Sequence, residues 1–280
     1  MKFTSFFGGA AATALTLLAH NSWAQNPNYH GKFVAVLPPA QVQSANHKMI
    51  HDVMARGKVL DVLAAALNKT FVLPSNLTIT MSESDDFNAY YSHDKHSLII
   101  NYGLMDWFIK QAQSSAGQPE IKQGVSSGGA VAEGVFTFVV FHELGHAFID
   151  MLDIPMLGRE EDAADQCATV VMLQHHGNQL NEEKQERMLV RAAFFFLKIG
   201  GGANQKIDLD TWGDEHAIGP QRFYNILAWL YGSSSTNYKI LVDNKVIPEH
   251  RAELAPGEYK RMQKAWVAFL KPALRKGQSL

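Results

Sequence analysis

The chain has 280 residues, 46% hydrophobic and 19% charged, with a formal net charge of -2. That length supports one large domain or two lobes around a substantial core. The near-balanced charge carries no footprint for nucleic acid or for an anionic membrane surface as partner. Cys167 is the only cysteine, which excludes an internal disulfide.

In chain order, the N-terminus reads as a targeting segment. Lys2 is followed by an apolar run from Phe6 to Ala19, and Ser22 and Ala24 occupy the small-residue positions of a cleavage site. We expect a signal peptide over residues 1–24, cut after Ala24, and a mature chain beginning at Gln25. The apolar run is shorter than the roughly 20 residues of a spanning helix, and no later segment is apolar enough, so stable membrane insertion is not expected. An exported protein without disulfides fits a bacterial periplasm or secretion from a bacterium.

The apolar run Lys32 to Leu37, ended by Pro38-Pro39, predicts a strand. Gln41 to Leu67 has helical periodicity with a break at Gly57. Phe71 to Leu73, Leu77 to Met81 and Leu98 to Tyr102 read as strands, and His93-Asp94-Lys95-His96 as the polar turn of a hairpin. Gly103 to Ala112 predicts a helix, and the Ser-, Gly- and Gln-rich stretch Ser114 to Gly129 a mobile loop. Helices follow from Val131 to Leu152, Glu160 to His175, Glu182 to Ile199, Pro220 to Tyr231 and Pro256 to Leu270, with a polar loop from Asp208 to Gly219. Cys167 falls inside the second of these helices, as a small buried hydrophobe. The expected fold class is α+β. Residues 25–280 form a single domain, with a strand-bearing front lobe over 25–130 and a helical lobe over 131–280.

The chemistry concentrates in Phe141-His142-Glu143-Leu144-Gly145-His146. On a helix, residues four apart share a face, so His142 and His146 can grip one metal ion, and Glu143 can serve a metal-bound water as general base. The preceding run Val135 to Phe141 is apolar on every face, which marks a buried helix. Imidazoles and a carboxylate at its end need partners. A catalytic zinc takes three protein ligands. Ile149 and Leu152 stand where a metzincin has its glycine and third histidine, which removes that class. The acidic run Glu160-Glu161-Asp162 and Asp165 offers the alternative. Glu161 and Asp165 lie one turn apart, so Glu161 can bind the metal while Asp165 accepts the free N–H of a ligand histidine. Glu160 is the rival third ligand. Small Ala163 and Ala164 allow close helix packing. Asp150, one turn after His146, is a candidate to orient that imidazole. His47/His51 and His175-His176 have ligand-like spacing without a suitable acid and read as surface or packing residues.

His142-Glu143-x-x-His146 followed by Glu161-x-x-x-Asp165 resembles the gluzincin class of zinc peptidases. More closely, the chain resembles a bacterial family of metallopeptidases defined mainly by sequence. The resemblance is carried by Asn88-Ala89-Tyr90-Tyr91, the HELGH box, Gly158 to Asp165, Asp214-Glu215-His216 and Gln221 to Asn225. It implies a gluzincin-like fold, a sheet-bearing lobe over a helical lobe with the zinc site between them. It also implies an edge strand before the core helix that binds substrate, which places Asn88, Ala89 and Tyr90 at the substrate, and a histidine of the helical lobe that stabilises the oxyanion. His216 is the candidate, with Asp214 or Glu215 to orient it, and Arg222 is placed to hold a substrate carboxylate or a structural acid. The expected cofactor is Zn2+ and the expected partner a peptide or protein substrate. Two other functions fit the same residues. One is an idle zinc-binding scaffold, against which the intact Glu143 argues; the other is a zinc hydrolase of a non-peptide amide such as a cell-wall bond. The signal-peptide reading has a direct check: N-terminal sequencing of the exported protein should begin at Gln25, and an intact chain starting at Met1 and held in the cytosol refutes it.

Overall fold

The computed structural model describes residues 26–39, 44–114, 128–174, 182–199, 209 and 213–280. Among them are a four-stranded sheet and nine α-helices, an α+β structure that is mostly helical. The signal-peptide segment lies outside the described residues, as do most of the expected loop Ser114 to Gly129 and residues 208 and 210–212 of the expected loop Asp208 to Gly219.

The front half follows the order β1 (Phe33–Val36), α1 (Ala45–Gly57), α2 (Val59–Thr70), β2 (Leu77–Ser82), β3 (Ala89–Ser92) and β4 (Ser97–Asn101). The sheet order is β1-β2-β4-β3, with β1, β2 and β4 parallel and β3 antiparallel to β4. In β2 the apolar residues Leu77, Ile79 and Met81 alternate inward, whereas β4 is buried along its whole length as an inner strand. The hairpin turn at His93 to His96 forms as expected.

Two features of this half differ from the sequence reading. The α1–α2 break falls at Lys58, in the left-handed region (φ 48°), and Gly57 ends the helix before it. The Lys58 N–H reaches back to the carbonyls of Ala55 and Met54 and satisfies the last turn of α1. Phe71 to Leu73 is no strand. It makes single bridges, Phe71 with Leu274 and Leu73 with Gly31, and its apolarity reflects burial between them instead of a ladder.

The helical half comprises α3 (Tyr102–Ser114), α4 (Gly128–Met151), α5 (Glu160–Gln174), α6 (Glu182–Ile199), α7 (Gly219–Ser233), the short α8 (Ile240–Asp243) and α9 (Glu249–Leu270). α9 begins ahead of Pro256, which lies inside it, because Pro248 supplies the N-cap. Beside that proline, α7 presents Gly232, where a Cβ would lie 2.4 Å from the Ala255 carbonyl oxygen. Only a glycine admits so close an approach. One buried apolar cluster runs from the sheet (Ile79, Leu98) through α4 (Phe138, Leu144) and α5 (Ala168) to α7 and α9 (Leu227, Trp266). α4 is its axis, packed against α3, α5, α6 and the β3–β4 hairpin. Among the described residues no helix is long and apolar enough to cross a membrane.

Candidate metal centre

His142 and His146 point from α4 toward the first turn of α5. The two helices meet at Gly145, where a Cβ would lie 2.9 Å from the Ala164 Cα. That approach brings Glu161 onto the histidines. Its Oε2 is 2.9 Å from His142 Nε2 and its Oε1 is 3.3 Å from His146 Nε2. The two Nε2 atoms are 3.3 Å apart, and one ligand atom from each of the three residues falls within 4.8 Å of the others. Both Nδ1 atoms face carboxylates: His142 Nδ1 donates to Asp165 Oδ1 at 2.8 Å and His146 Nδ1 donates to Glu160 Oε1 at 2.7 Å. Each ring is thereby fixed with Nε2 directed at a common point. Two imidazoles and one carboxylate suit a divalent transition metal, and the residues present fit such an ion.

The surroundings set the charges. Arg222 of α7 grips Asp165 with a fork, Nε to Oδ2 at 2.8 Å and Nη2 to Oδ1 at 2.6 Å, while its guanidinium carbon sits 3.7 Å above the Phe196 ring of α6. Burial alone would raise the Asp165 carboxyl, but Arg222 and His142 outweigh it and hold the group at about 2. Burial would likewise lower His142, and the bonds to Asp165 and Glu161 lift it instead. For His146 the bonds to Glu161 and Glu160 overcome burial and raise it to about 9. Glu161, against the opposing effect of burial, is held far below the usual carboxylate range by three imidazoles. Glu143 is the exception. It is 7% exposed, and burial raises its carboxyl against the lowering effect of the His142 and His146 imidazoles.

The other residues singled out from the sequence fall in two groups. Asn88, Ala89, Tyr90, Asp214, His216 and Arg222 line one cleft of about 710 Å³ together with His142, Glu143, His146 and Glu161. His216 Nε2 is 3.0 Å from Glu161 Oε2, and its Nδ1 is 3.0 Å from Asp214 Oδ1, so Asp214 and not Glu215 orients the ring. Arg222 reaches the cleft, but its fork is engaged by the structural acid Asp165. Asp150 does not touch His146. By that point α4 runs under the β3–β4 hairpin, and Asp150 accepts the Tyr91 hydroxyl at 2.6 Å and faces His93 at 3.5 Å. His47 is buried, its Nε2 against Asp85 at 2.9 Å, while His51 Nε2 lies against the Pro38 carbonyl, so that pair does not converge. His175 and His176 lie outside the described residues. Cys167 is fully buried and its thiol is pushed up by burial, which makes it inert.

Two participants escaped the sequence reading. Glu160, ranked there as a rival ligand, backs His146 as Asp165 backs His142. Phe196, inside the helix predicted over Glu182 to Ile199, carries Arg222. A carboxylate next to the ligand glutamate, at the first position of a helix, was the available signal for Glu160; nothing local marks Phe196.

A family model for DUF4344, described as "putative metallopeptidase", matches residues 40–270, a span that contains every residue of the cleft. No curated protein and no solved structure matches the chain.

The geometry of Glu160 leads to a prediction about affinity. Glu160→Gln should preserve the bound-metal stoichiometry and weaken affinity by about 10- to 100-fold, as measured by chelator competition. Loss of the ion in that variant together with its retention in Glu161→Gln would make Glu160 the ligand.

Proposed function

We propose that this chain, which belongs to the DUF4344 family of metallopeptidases, is an exported, zinc-dependent peptidase of gluzincin type with Glu143 as general base. Family membership carries the coarse statement, a peptidase-type hydrolase that uses a metal and acts on peptides. The observation that carries the finer one is the convergence of His142 Nε2, His146 Nε2 and Glu161, each imidazole backed by its own carboxylate, with Glu143 buried beside them.

His142, His146 and Glu161 would hold the ion. When bound, zinc supplies a Lewis acid for the scissile carbonyl and makes water a competent nucleophile near neutral pH. Glu143 takes the proton of the attacking water and passes it to the leaving amine. Its raised pKa suits it to hold that proton between the two steps. His216, oriented by Asp214, donates a hydrogen bond to the developing oxyanion. β3 is the free edge of the sheet and accepts an extended substrate as an added strand along Asn88, Ala89 and Tyr90. Arg222 locks Asp165, and through it the tautomer of His142. Export to a bacterial periplasm, in a single domain of two lobes, completes the proposal and rests on the N-terminal segment read above. The idle-scaffold alternative leaves a buried base beside the ligands without a task.

The decisive experiment profiles cleavage of a peptide library and of cell-wall amides by the zinc-loaded mature protein and by its Glu143→Gln variant. The variant should keep zinc and fold while turnover falls by about 10²- to 10⁴-fold. Equal turnover in the two proteins removes Glu143 from the mechanism, and cleavage of cell-wall amides alone replaces the peptidase reading with the non-peptide one.

His216→Ala should lower kcat by about 10²- to 10³-fold with little change in KM, because an oxyanion bond strengthens in the transition state, and it should leave the tightly held zinc in place. A normal kcat would make His216 a bystander.

A further inference from the structure

Glu161 has donors on both sides. Besides His142 and His146, it meets Glu215 and His216, and one ligand atom from each of Glu161, Glu215 and His216 lies within 4.8 Å of the others. We propose that these three residues form a second divalent-cation site, sharing Glu161 with the first, that takes a zinc-like ion and stops hydrolysis when it fills. The inhibitory consequence rests on the function proposed above; the site itself rests on the donors.

The first argument is the arrangement of the imidazoles. All three histidines around Glu161 are built alike. Each turns Nδ1 to a carboxylate of its own, Asp165, Glu160 or Asp214, and each turns Nε2 to Glu161. At His216 the backbone N–H also donates to Asp214 Oδ1, at 2.7 Å, which fixes the loop as well as the ring. A carboxylate that holds Nδ1–H leaves Nε2, once an incoming cation displaces its proton, as a lone-pair donor, the arrangement found behind metal-ligating histidines. His216 is therefore prepared as a ligand in the same way as the two histidines of α4.

The second argument is Glu161 itself. Its Oε2 lies 2.9 Å from His142 Nε2 and 3.0 Å from His216 Nε2. One carboxylate thus stands between two donor sets, and a carboxylate shared in this way is suited to link paired metal ions held about 3.5–4 Å apart. The rings of His142 and His216 lie nearly parallel, centroids 6.2 Å apart, on either side of it.

The third argument is charge. The cleft is lined by five acids, Glu143, Glu160, Glu161, Asp214 and Glu215, against Arg159 and Arg222, and Arg222 is already paired with Asp165. One dication leaves an acidic surplus for another. The two sites differ in access. His142 is buried, whereas the His216 side chain is 42% exposed and Glu215 is exposed. The second ion is therefore the weaker and the more exchangeable. It also occupies the nitrogen that faces the oxyanion, so its presence and turnover exclude each other.

The test uses the full mature protein. Bound zinc is measured by elemental analysis after equilibrium dialysis against rising free zinc, and hydrolysis is followed over the same range. The wild type should keep one ion at low free zinc, then take up a second as turnover falls. Glu215→Gln should keep the first ion and the basal turnover, lack the second ion, and need about tenfold or more zinc for half-inhibition. Surface histidines contribute equally to both proteins, so the difference between them reports the site. A wild type that saturates at one ion, or a Glu215→Gln variant that binds and is inhibited like the wild type, overturns the proposal. The double variant His142→Ala, His146→Ala separates the two readings: a tight ion retained there refutes the primary site, while the comparison of wild type with Glu215→Gln still judges the second.

Discussion

The closeness of α4 and α5 at Gly145 sets the geometry of the whole site. Helices of ordinary composition pack with their axes about 8–10 Å apart. Here the facing residues are Gly145 and Ala164, and a methyl group on the glycine would lie 2.9 Å from the opposing Cα. That contact fixes the register. With Ala164 against Gly145, Glu161 falls level with His142 and His146, and Asp165, one turn on, reaches back to the far nitrogen of His142. The start of α5 is itself favoured by three acids in its first turn, where the helix dipole stabilises negative charge. Two of those acids then serve the histidines.

Such a cluster of buried charge is costly unless every member is paired. Asp165 is 4% exposed and sits between Arg222 and His142; Glu161 sits among three imidazoles; Arg222 rests on Phe196. The chain of contacts therefore runs through α4, α5, α6 and α7, and each helix adds one partner. Arg222 is 57 residues from Asp165 in sequence. Its bidentate fork fits a carboxylate in a way a lysine could not reproduce. The tautomer of His142 on α4 is thus secured by an arginine three helices further along the chain, which is a reason for the site to be as rigid as the core that holds it.

The parts of this arrangement that follow a short-range rule were legible in the sequence. The HELGH spacing placed two imidazoles on one face, and the four-residue interval from Glu161 to Asp165 placed two acids on another. Alternation marked β2, and a Pro-led start marked α7 to within a residue or two. The misses have a common cause. Phe71 to Leu73 is as apolar as a strand because it is buried between the segments at Gly31 and Leu274, and no local pattern distinguishes that from pairing. The sequence predicts a helix start at Pro256, whereas Pro248 caps α9 and packing against Gly232 carries the helix through Pro256. Asp150 has the spacing of a partner to His146, but spacing along one helix says nothing of what lies above it, and the hairpin does. Glu160 and Glu161 are adjacent acids; only the position of α5 over α4 tells which meets Nε2 and which meets Nδ1.

That hairpin also ties the edge strand to the helix that carries Glu143. Since Asn101 N–H bonds to the Asn88 carbonyl, the hydrogen-bonded pairs of the hairpin are Asn88–Asn101, Tyr90–Ile99 and Ser92–Ser97. Tyr90 therefore spends its peptide groups on β4, and those of Ala89 and Tyr91 point away from the sheet. The Tyr91 hydroxyl donates to Asp150, seven residues beyond Glu143 on α4, and Tyr91 and Glu143 line the same cleft. That bond pins one residue of the strand to the helix that carries Glu143. The outward groups, the N–H and carbonyl of Ala89 and of Tyr91, therefore stand at a fixed height along α4. In the function proposed above, a peptide paired with those groups is referenced to Glu143 through a single tyrosine. The strand cannot slide without breaking the bond to Asp150, so under that reading the position of an added strand and the reach of Glu143 are one constraint.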